Sequence, residues 1–193
     1  MAGKAEKKDC KPRRRKLHDW EIDEARLVFG KSLNYKRLIV HECTDWTNAI
    51  DNVGRILKRM PPRANHIRNA ITLGNELFFP IELPKKLIPQ GESGDVYMPW
   101  LIHEMTHAWQ FQHLGWRYLI LALRAQTKEG KNAYKFGGAK GLKSRSQEGW
   151  NIDRFNLEQQ GDITRSYYVA LKTGKTLDAW NPFVRDIQKK KLK

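Results

Sequence analysis

The spacing of apolar positions along the chain predicts a small β-sheet followed by helices. Apolar runs predict strands at residues 37–41 and 70–79, and Gly74 and Asn75 within the second run are typical of a hairpin turn. Helical periodicity predicts helices at residues 20–28, 100–113, 116–126 and 156–174, whereas residues 45–56 fit neither pattern. This order indicates an α+β fold in which a small antiparallel sheet precedes a long helix and a mainly helical C-terminal half. The 193 residues suit a single domain.

The stretch WLIHEMTHAWQFQH, residues 100–113, is apolar on nearly every side of its predicted helix, yet it contains His103, Glu104 and His107. Ionisable groups are costly to bury unless something compensates them. The H-E-x-x-H spacing puts both histidines on one helical face, one turn apart, where two imidazoles can bind one zinc ion. Glu104 is then the candidate general base for a catalytic water. The alternative is an ordinary helix on which this spacing is incidental.

Two residues compete for the role of third metal ligand. His113 completes the metzincin spacing H-E-x-x-H-x-x-x-x-x-H, but Gln110 stands where that arrangement needs a glycine, and a continuous helix would turn His113 away from the metal. Glu158 is the better candidate, because it shares a predicted helical face with Asp162. In this arrangement Glu158 binds the metal and Asp162 orients a ligand histidine. The alternative interpretation of the two acids is a solvated helix surface.

Three segments together resemble a known family: HEMTHAWQFQ at 103–112, ITLGNELFFP at 71–80 and FNLEQQGDITRSYY at 155–168. They look like the zincin metallopeptidase domain attached to type VI secretion VgrG spike proteins and to Rhs-type proteins. The resemblance extends over most of the chain. It implies a zincin-like fold of the gluzincin type with Zn²⁺ as cofactor. The roles that it implies are metal ligands at His103, His107 and Glu158 and a general base at Glu104.

The same resemblance implies an antibacterial toxin or secretion-associated peptidase that cleaves a protein or peptide. Its expected partners are a secretion spike or carrier and an immunity protein. The basic N-terminal residues are not followed by the apolar stretch of a signal peptide, and no segment is apolar enough to span a membrane. We therefore expect export from the bacterial cytoplasm by a secretion system and action in the envelope or periplasm of a target cell. Residues 70–79 become a candidate edge strand for substrate, with a core strand as the alternative.

The formal charge of +15, from 36 Lys and Arg against 21 Asp and Glu, is higher than the resemblance leads one to expect. Flexible basic tails at residues 1–19 and 189–193 account for part of it, and leave residues 20–188 as the metallopeptidase domain. A nucleic-acid-binding protein with a structural zinc, or a protease recruited to DNA, is possible but not favoured. Structural zinc sites are usually rich in cysteine, and this chain has only Cys10 and Cys43, too few for a disulfide framework.

Residues 128–149 break all periodicity and are rich in glycine and lysine. A solvated loop is the first interpretation, with a lid over the cleft or a basic nucleic-acid surface as alternatives. Tyr134 in this segment, and Tyr167 and Tyr168 in the last predicted helix, are candidates to stabilise the oxyanion of a tetrahedral intermediate by hydrogen bonding. Half-buried packing is the ordinary role of such tyrosines.

Overall fold

The computed structural model describes residues 10–44, 70–92, 95–115 and 135–192. Within these ranges the strands are β1 (Arg13–Arg15), β2 (Ile39–Glu42), β3 (Ile71–Leu73) and β4 (Glu76–Phe78). The helices are α1 (Asp19–Phe29), α2 (Tyr97–Leu114), α3 (Gly138–Gln147), α4 (Leu157–Lys172) and α5 (Asn181–Lys189), with short 3-10 helices at Tyr35–Arg37 and Ile152–Arg154. The predicted α+β class is confirmed. The expectations for residues 45–56 and 116–126 lie outside the described residues.

The described strands form one sheet in the order β1-β2-β4-β3. Strands β3 and β4 make the predicted hairpin, whose turn contains Gly74 with a φ of 66°. Strand β1 is antiparallel to β2, but β2 and β4 run parallel. The prediction of an antiparallel sheet is therefore wrong, and the sheet is mixed. The physical reason is that the chain leaves β2 at Glu42 and re-enters the sheet only at Ile71, and only a tight turn would oblige neighbouring strands to be antiparallel.

Strand β1 contradicts the expectation of a flexible tail that reaches residue 19. Arg15 in this strand donates to both carboxylate oxygens of Glu21, at 2.7 and 2.8 Å, and to Oε1 of Glu42 at 2.7 Å. All three side chains are almost entirely buried. The chain from β1 onward therefore belongs to the folded domain. The basic composition of this segment suggested a solvated tail. Composition alone cannot show that Arg15 lies opposite two buried carboxylates in the folded chain.

A disulfide bond joins Cys10 and Cys43, which are 33 positions apart in the sequence. Cys10 lies three residues before β1, and Cys43 directly follows β2. The redox state of the two cysteines was open from the sequence alone, and the structure shows them bonded. The bond fastens β1 to β2 at the end of the ladder where Arg13 pairs with Glu42.

Reduction of the Cys10–Cys43 bond should lower the melting temperature by about 10 °C. A cross-link over a loop of this length is worth roughly 3–4 kcal/mol, and each kcal/mol shifts the midpoint by about 2–4 °C in a chain of this size. Differential scanning calorimetry with and without a reducing agent measures the shift. A double variant, Cys10→Ser with Cys43→Ser, should melt at the lower temperature under both conditions. Equal midpoints for the oxidised and reduced protein would contradict the prediction.

Helix α2 lies at the centre of the hydrophobic core. It packs against α4 on one side and against the β3–β4 hairpin on the other, while α1 also contacts it. Its buried apolar side chains are Met98, Leu101, Ile102, Met105, Ala108 and Trp109. The prediction of a helix buried on most sides is confirmed. None of the helices in the described part of the chain has the length and apolar character needed to cross a membrane.

Residues 138–147 form α3, so the expectation of an aperiodic loop over residues 128–149 is wrong for this part. Arg145 explains much of the order. Its Nη1 donates to the carbonyl oxygen of Phe136 at 2.7 Å, and its guanidinium lies 5.2 Å from the centre of the Trp150 ring. Both anchors lie just outside α3, one on each side of it, and contacts beyond a helix's own backbone can override the weak helix propensity of a glycine-rich segment.

Candidate metal centre

Helix α2 presents His103, Glu104 and His107 as the sequence predicts. The helix is continuous from Tyr97 to Leu114, and it ends where Gly115 adopts a φ of 61°. The exposed fractions of the three motif residues are 8% for His103, 5% for Glu104 and 6% for His107. The motif is therefore buried in the core, where ionisable groups require compensation.

Glu158, in the first turn of α4, meets the two histidines. Its Oε2 lies 3.4 Å from Nε2 of His103 and 3.6 Å from Nε2 of His107. The two Nε2 atoms are 3.2 Å apart. His103, His107 and Glu158 are therefore close enough together to hold a metal ion. Within residues 10–44, 70–92, 95–115 and 135–192, no other group of His, Cys, Asp or Glu side chains is. Ligand atoms about 2.1 Å from a tetrahedral zinc ion lie about 3.4 Å from one another, so the triangle has the size that zinc requires.

Amide hydrogen bonds determine which nitrogen of His107 carries its proton. Gln110 donates its NH₂ group to the carbonyl oxygen of Leu157 and to Oε1 of Gln160, both at 2.9 Å. The Oε1 of Gln110 must then accept the hydrogen bond from Nδ1 of His107, which is 2.9 Å away. With the proton on Nδ1, the lone pair on Nε2 of His107 faces the other ligand atoms.

Asp162, one turn after Glu158 on α4, lies behind His103. Its Oδ1 is 3.2 Å from Nδ1 of His103, and the carboxylate favours a proton on that nitrogen. The Nε2 lone pair of His103 then also faces Glu158. Two lone pairs and a carboxylate oxygen meet in the triangle, and such a cluster is repulsive unless the groups share a cation. The residues present therefore fit a metal ion such as zinc.

The electrostatic field of the triangle attracts positive charge. Burial lowers the pKa of His103, but the carboxylates of Asp162 and Glu158 outweigh this effect and raise it to about 10. Burial also opposes the charged form of His107, yet Glu158 raises the pKa of this histidine too. Burial raises the pKa of Glu158, but the two histidines bring it well below its usual range. A bound dication would take the place of the proton that this field draws in, so metal binding should release protons.

Gly161 allows α4 to approach the imidazole of His103. A Cβ atom at this position would lie 2.7 Å from Cε1 and 2.9 Å from Nδ1 of that ring, so a side chain would push the two helices apart. Across the same interface the hydroxyls of Thr106 and Thr164 are 2.7 Å apart. None of these three residues was predicted as part of the site. A glycine inside a predicted helix, between two candidate acids, was the available signal for Gly161.

Thr72 on β3 contacts the candidate base, Glu104. Its hydroxyl donates to Oε2 of Glu104 at 2.7 Å, and both side chains are buried. The same hydroxyl is 3.2 Å from the backbone carbonyl oxygen of Glu104. This contact was not predicted, because no spacing rule relates a strand residue to a helix residue 32 positions later.

His113 is not part of the metal triangle. Its Nδ1 donates to the carbonyl oxygen of Trp109 at 2.8 Å, and its ring packs against the Trp109 ring with 4.7 Å between centroids. The continuous helix turns His113 away from His107, as expected for a helix that has no glycine at position 110. The structure thus brings Glu158, not His113, to the two histidines.

The three candidate tyrosines have different outcomes. Tyr168 donates its hydroxyl to Oε2 of Glu24 at 2.6 Å, so the oxyanion role is wrong for Tyr168. Helical geometry places Tyr167 about 140° around α4 from Asp162, and its oxyanion role stays a prediction. Tyr134 lies outside the described residues.

Replacing Asp162 by asparagine should weaken zinc binding by about 10- to 100-fold while the fold stays intact. Partners of this kind orient a metal-binding imidazole, and their loss typically has an effect of this size. Competition with a chelator of known affinity measures the change. Asp178→Asn, an exposed aspartate beyond the end of α4, is the matched control. Equal zinc affinities in the two variants would show that Asp162 does not orient His103 and is an ordinary residue of the helix surface.

Comparison with known proteins relates the chain to a bacterial secretion apparatus. The sequence is 32% identical over 162 residues to the type VI secretion system spike protein VgrG2b of Pseudomonas aeruginosa. This chain resembles part of a secretion spike protein. The similar region comprises 80% of this chain and 13% of VgrG2b, so the chain spans a small part of that relative's length. Profiles of known protein families give no match, and no solved structure matches.

The similarity to VgrG2b supports a protein related to type VI secretion, in agreement with the resemblance noted in the sequence.

Proposed function

We propose that this chain is a zinc-dependent metallopeptidase and acts as an effector of a type VI secretion system. The observation that carries the proposal is the triangle of His103 Nε2, His107 Nε2 and Glu158 Oε2, with Glu104 beside it on the same helix. Three protein ligands leave one position of a tetrahedral ion open, which is the arrangement of catalytic zinc sites. Structural zinc sites are closed and usually contain cysteine, so the ligand set favours an enzyme over a binding protein.

Glu104 is the residue that moves protons in the proposed reaction. Zinc bound at the triangle would supply Lewis-acid chemistry, by polarising the scissile carbonyl group and making a water molecule more acidic. Glu104 accepts the proton of that water. The accepting atom is Oε1, because Oε2 already accepts the hydrogen bond from Thr72. The same carboxyl group then returns the proton to the leaving amine. His103 and His107 serve as neutral ligands, since their second ring nitrogens carry the protons.

Strand β3 is the proposed binding edge for the substrate. It ends the sheet among the described strands, and it packs against α2 beside Glu104. An extended peptide can add to such an edge through main-chain hydrogen bonds. Ile71 and Leu73 face the side of the sheet opposite to Thr72, and Leu73 is 45% exposed. The substrate class that we propose is therefore a protein or peptide segment in extended conformation.

The secretion role rests on the similarity to VgrG2b, which is a spike protein by name. The proposed route is export from the producing bacterium on a spike or carrier, followed by action in the envelope or periplasm of a target cell. The disulfide between Cys10 and Cys43 fits this destination, because disulfides persist in oxidising compartments such as the periplasm. A cell that produces such a peptidase would require an immunity protein as a further partner.

Metal analysis combined with cleavage profiling tests the proposed function. The purified chain should contain one zinc ion per molecule and cleave members of a peptide library, with the products identified by mass spectrometry. His103→Ala should lose both properties, whereas His113→Ala, which changes a histidine of the same helix outside the triangle, should retain both. Zinc without cleavage of any peptide would favour a structural metal in a binding protein. Loss of zinc from His113→Ala would restore His113 as a ligand.

A further inference from the structure

We propose that Thr72 is a positioning residue for Glu104 and couples the substrate-binding edge of the sheet to the general base. The inference rests on the proposed function of this site. It assigns a role to a residue that lies outside the H-E-x-x-H segment and outside the metal ligands. The observation that carries it is the buried hydrogen bond, 2.7 Å long, from Oγ1 of Thr72 to Oε2 of Glu104.

This hydrogen bond restrains the Glu104 carboxylate. Thr72 and Glu104 are each 5% exposed, so little water competes for the contact. A hydrogen bond to an ionised acceptor in such surroundings is stronger than a bond between neutral groups. Thr72 is also β-branched, and its side-chain torsion is restricted in a strand, so the hydroxyl keeps a defined direction. One carboxylate oxygen is thereby held, and the orientation of the other follows from it.

The backbone of Thr72 faces the open edge of the described sheet, whereas its side chain contacts Glu104. Leu73 and Glu76 close the two-residue turn of the hairpin and form a hydrogen-bonded pair, and such pairs alternate along an antiparallel ladder. The next pair, Thr72 with Leu77, is therefore not hydrogen-bonded. The N–H and C=O groups of Thr72 project away from β4, on the side where the described sheet ends.

Thr72 therefore positions both the substrate strand and the Glu104 carboxylate, and hydrolysis requires the two to be correctly placed relative to each other. A substrate strand that adds to β3 would pair with the backbone of Thr72, while the hydroxyl of the same residue holds the base. Any shift of β3 on substrate binding then moves the Glu104 carboxylate in the same direction. Loss of the hydroxyl should lower turnover rather than substrate affinity, because the backbone contacts of residue 72 remain.

Two substitutions at residue 72 separate its hydroxyl from its shape. Thr72→Val should lower kcat by about 10-fold or more with KM changed less than about twofold, because losing a hydrogen bond to a charged group typically corresponds to about 10- to 100-fold in rate. Thr72→Ser keeps the hydroxyl and should recover most of the turnover that Thr72→Val loses. Zinc content should be unchanged in both. Thr173→Val, which removes an exposed hydroxyl at the C-terminal end of α4, is the matched control.

Thermal unfolding of the zinc-free protein tests the same contact without any assay of activity. Thr72→Val should lower the melting temperature by about 5 °C in the wild-type background and by clearly less in a Glu104→Ala background. Equal losses in both backgrounds would show that Thr72 stabilises the hairpin independently of Glu104, and would overturn the inference. Wild-type turnover in Thr72→Val, or loss of zinc together with turnover, would overturn it as well. A wild-type chain that cleaves no peptide would instead overturn the proposed function, a result that the melting experiment distinguishes.

Discussion

Replacing Glu104 by glutamine should reduce peptide turnover by about 10²- to 10⁴-fold and leave zinc content and fold unchanged. Glutamine has the same shape and keeps an oxygen that can accept from Thr72, but its amide cannot take a proton from water. Glu104 is not a member of the metal triangle, so the ligands of the ion are unaffected. Steady-state kinetics on a peptide identified by cleavage profiling, together with metal analysis of the same sample, measure the effect.

A second glutamate provides the control for Glu104→Gln. Glu148 is exposed directly after α3, and Glu148→Gln should turn over peptide at the wild-type rate. In bacteria, wild-type protein directed to the periplasm should kill the cell, and the Glu104→Gln variant should not. A zinc-replete Glu104→Gln protein that remained fully toxic would show that the basic surface does the damage. The nucleic-acid-binding alternative would then take first place.

Replacing Arg15 by alanine should lower the free energy of unfolding by about 3–5 kcal/mol. The substitution leaves Glu21 and Glu42, whose side chains are each 1% exposed, without their buried counter-charge. The Oε2 atom of Glu42 is already buried without a hydrogen-bond partner among the described residues, so it has no second contact to fall back on. Urea unfolding of the two proteins at the same pH measures the difference.

An exposed arginine next to Arg15 provides the control for the Arg15→Ala substitution. Arg14→Ala, which removes a neighbouring side chain that is 65% exposed, should change the free energy of unfolding by less than about 1 kcal/mol. Equal losses of unfolding free energy for Arg15→Ala and Arg14→Ala would contradict the role of Arg15 as the buried counter-charge.

The parts of the site that lie on one helix were predictable from local spacing. His103, Glu104 and His107 share α2, and Glu158 and Asp162 share α4, so the helical repeat alone relates the members of each group. The meeting of the two groups is not a local property. It could still be anticipated from chemistry, because buried imidazoles and carboxylates compensate one another best around a shared cation. The distances of 3.4 and 3.6 Å from Glu158 to the two histidines agree with that expectation.

The features that were not predicted are contacts between segments distant in the sequence. Thr72 reaches Glu104 from another element, and Arg15 neutralises two carboxylates that only the folded chain brings together. The parallel pairing of β2 with β4 depends on the course of the chain between these strands rather than on the residues in them. Periodicity and composition describe single segments, so they assign the elements but not which of them become neighbours.

Gly161 has no side chain, and the space that this leaves beside the His103 ring lets the two helices approach each other. A single methyl group there would lie 2.7 Å from the His103 ring, and the helices would have to separate to admit it. A homologue with alanine at this position would still contain the H-E-x-x-H segment and both acids. It would pass every search for ligand residues, yet its two helices would stand further apart, and we expect it to bind a metal ion more weakly. The residue aligned with Gly161 therefore predicts which relatives of this chain keep the triangle of His103, His107 and Glu158.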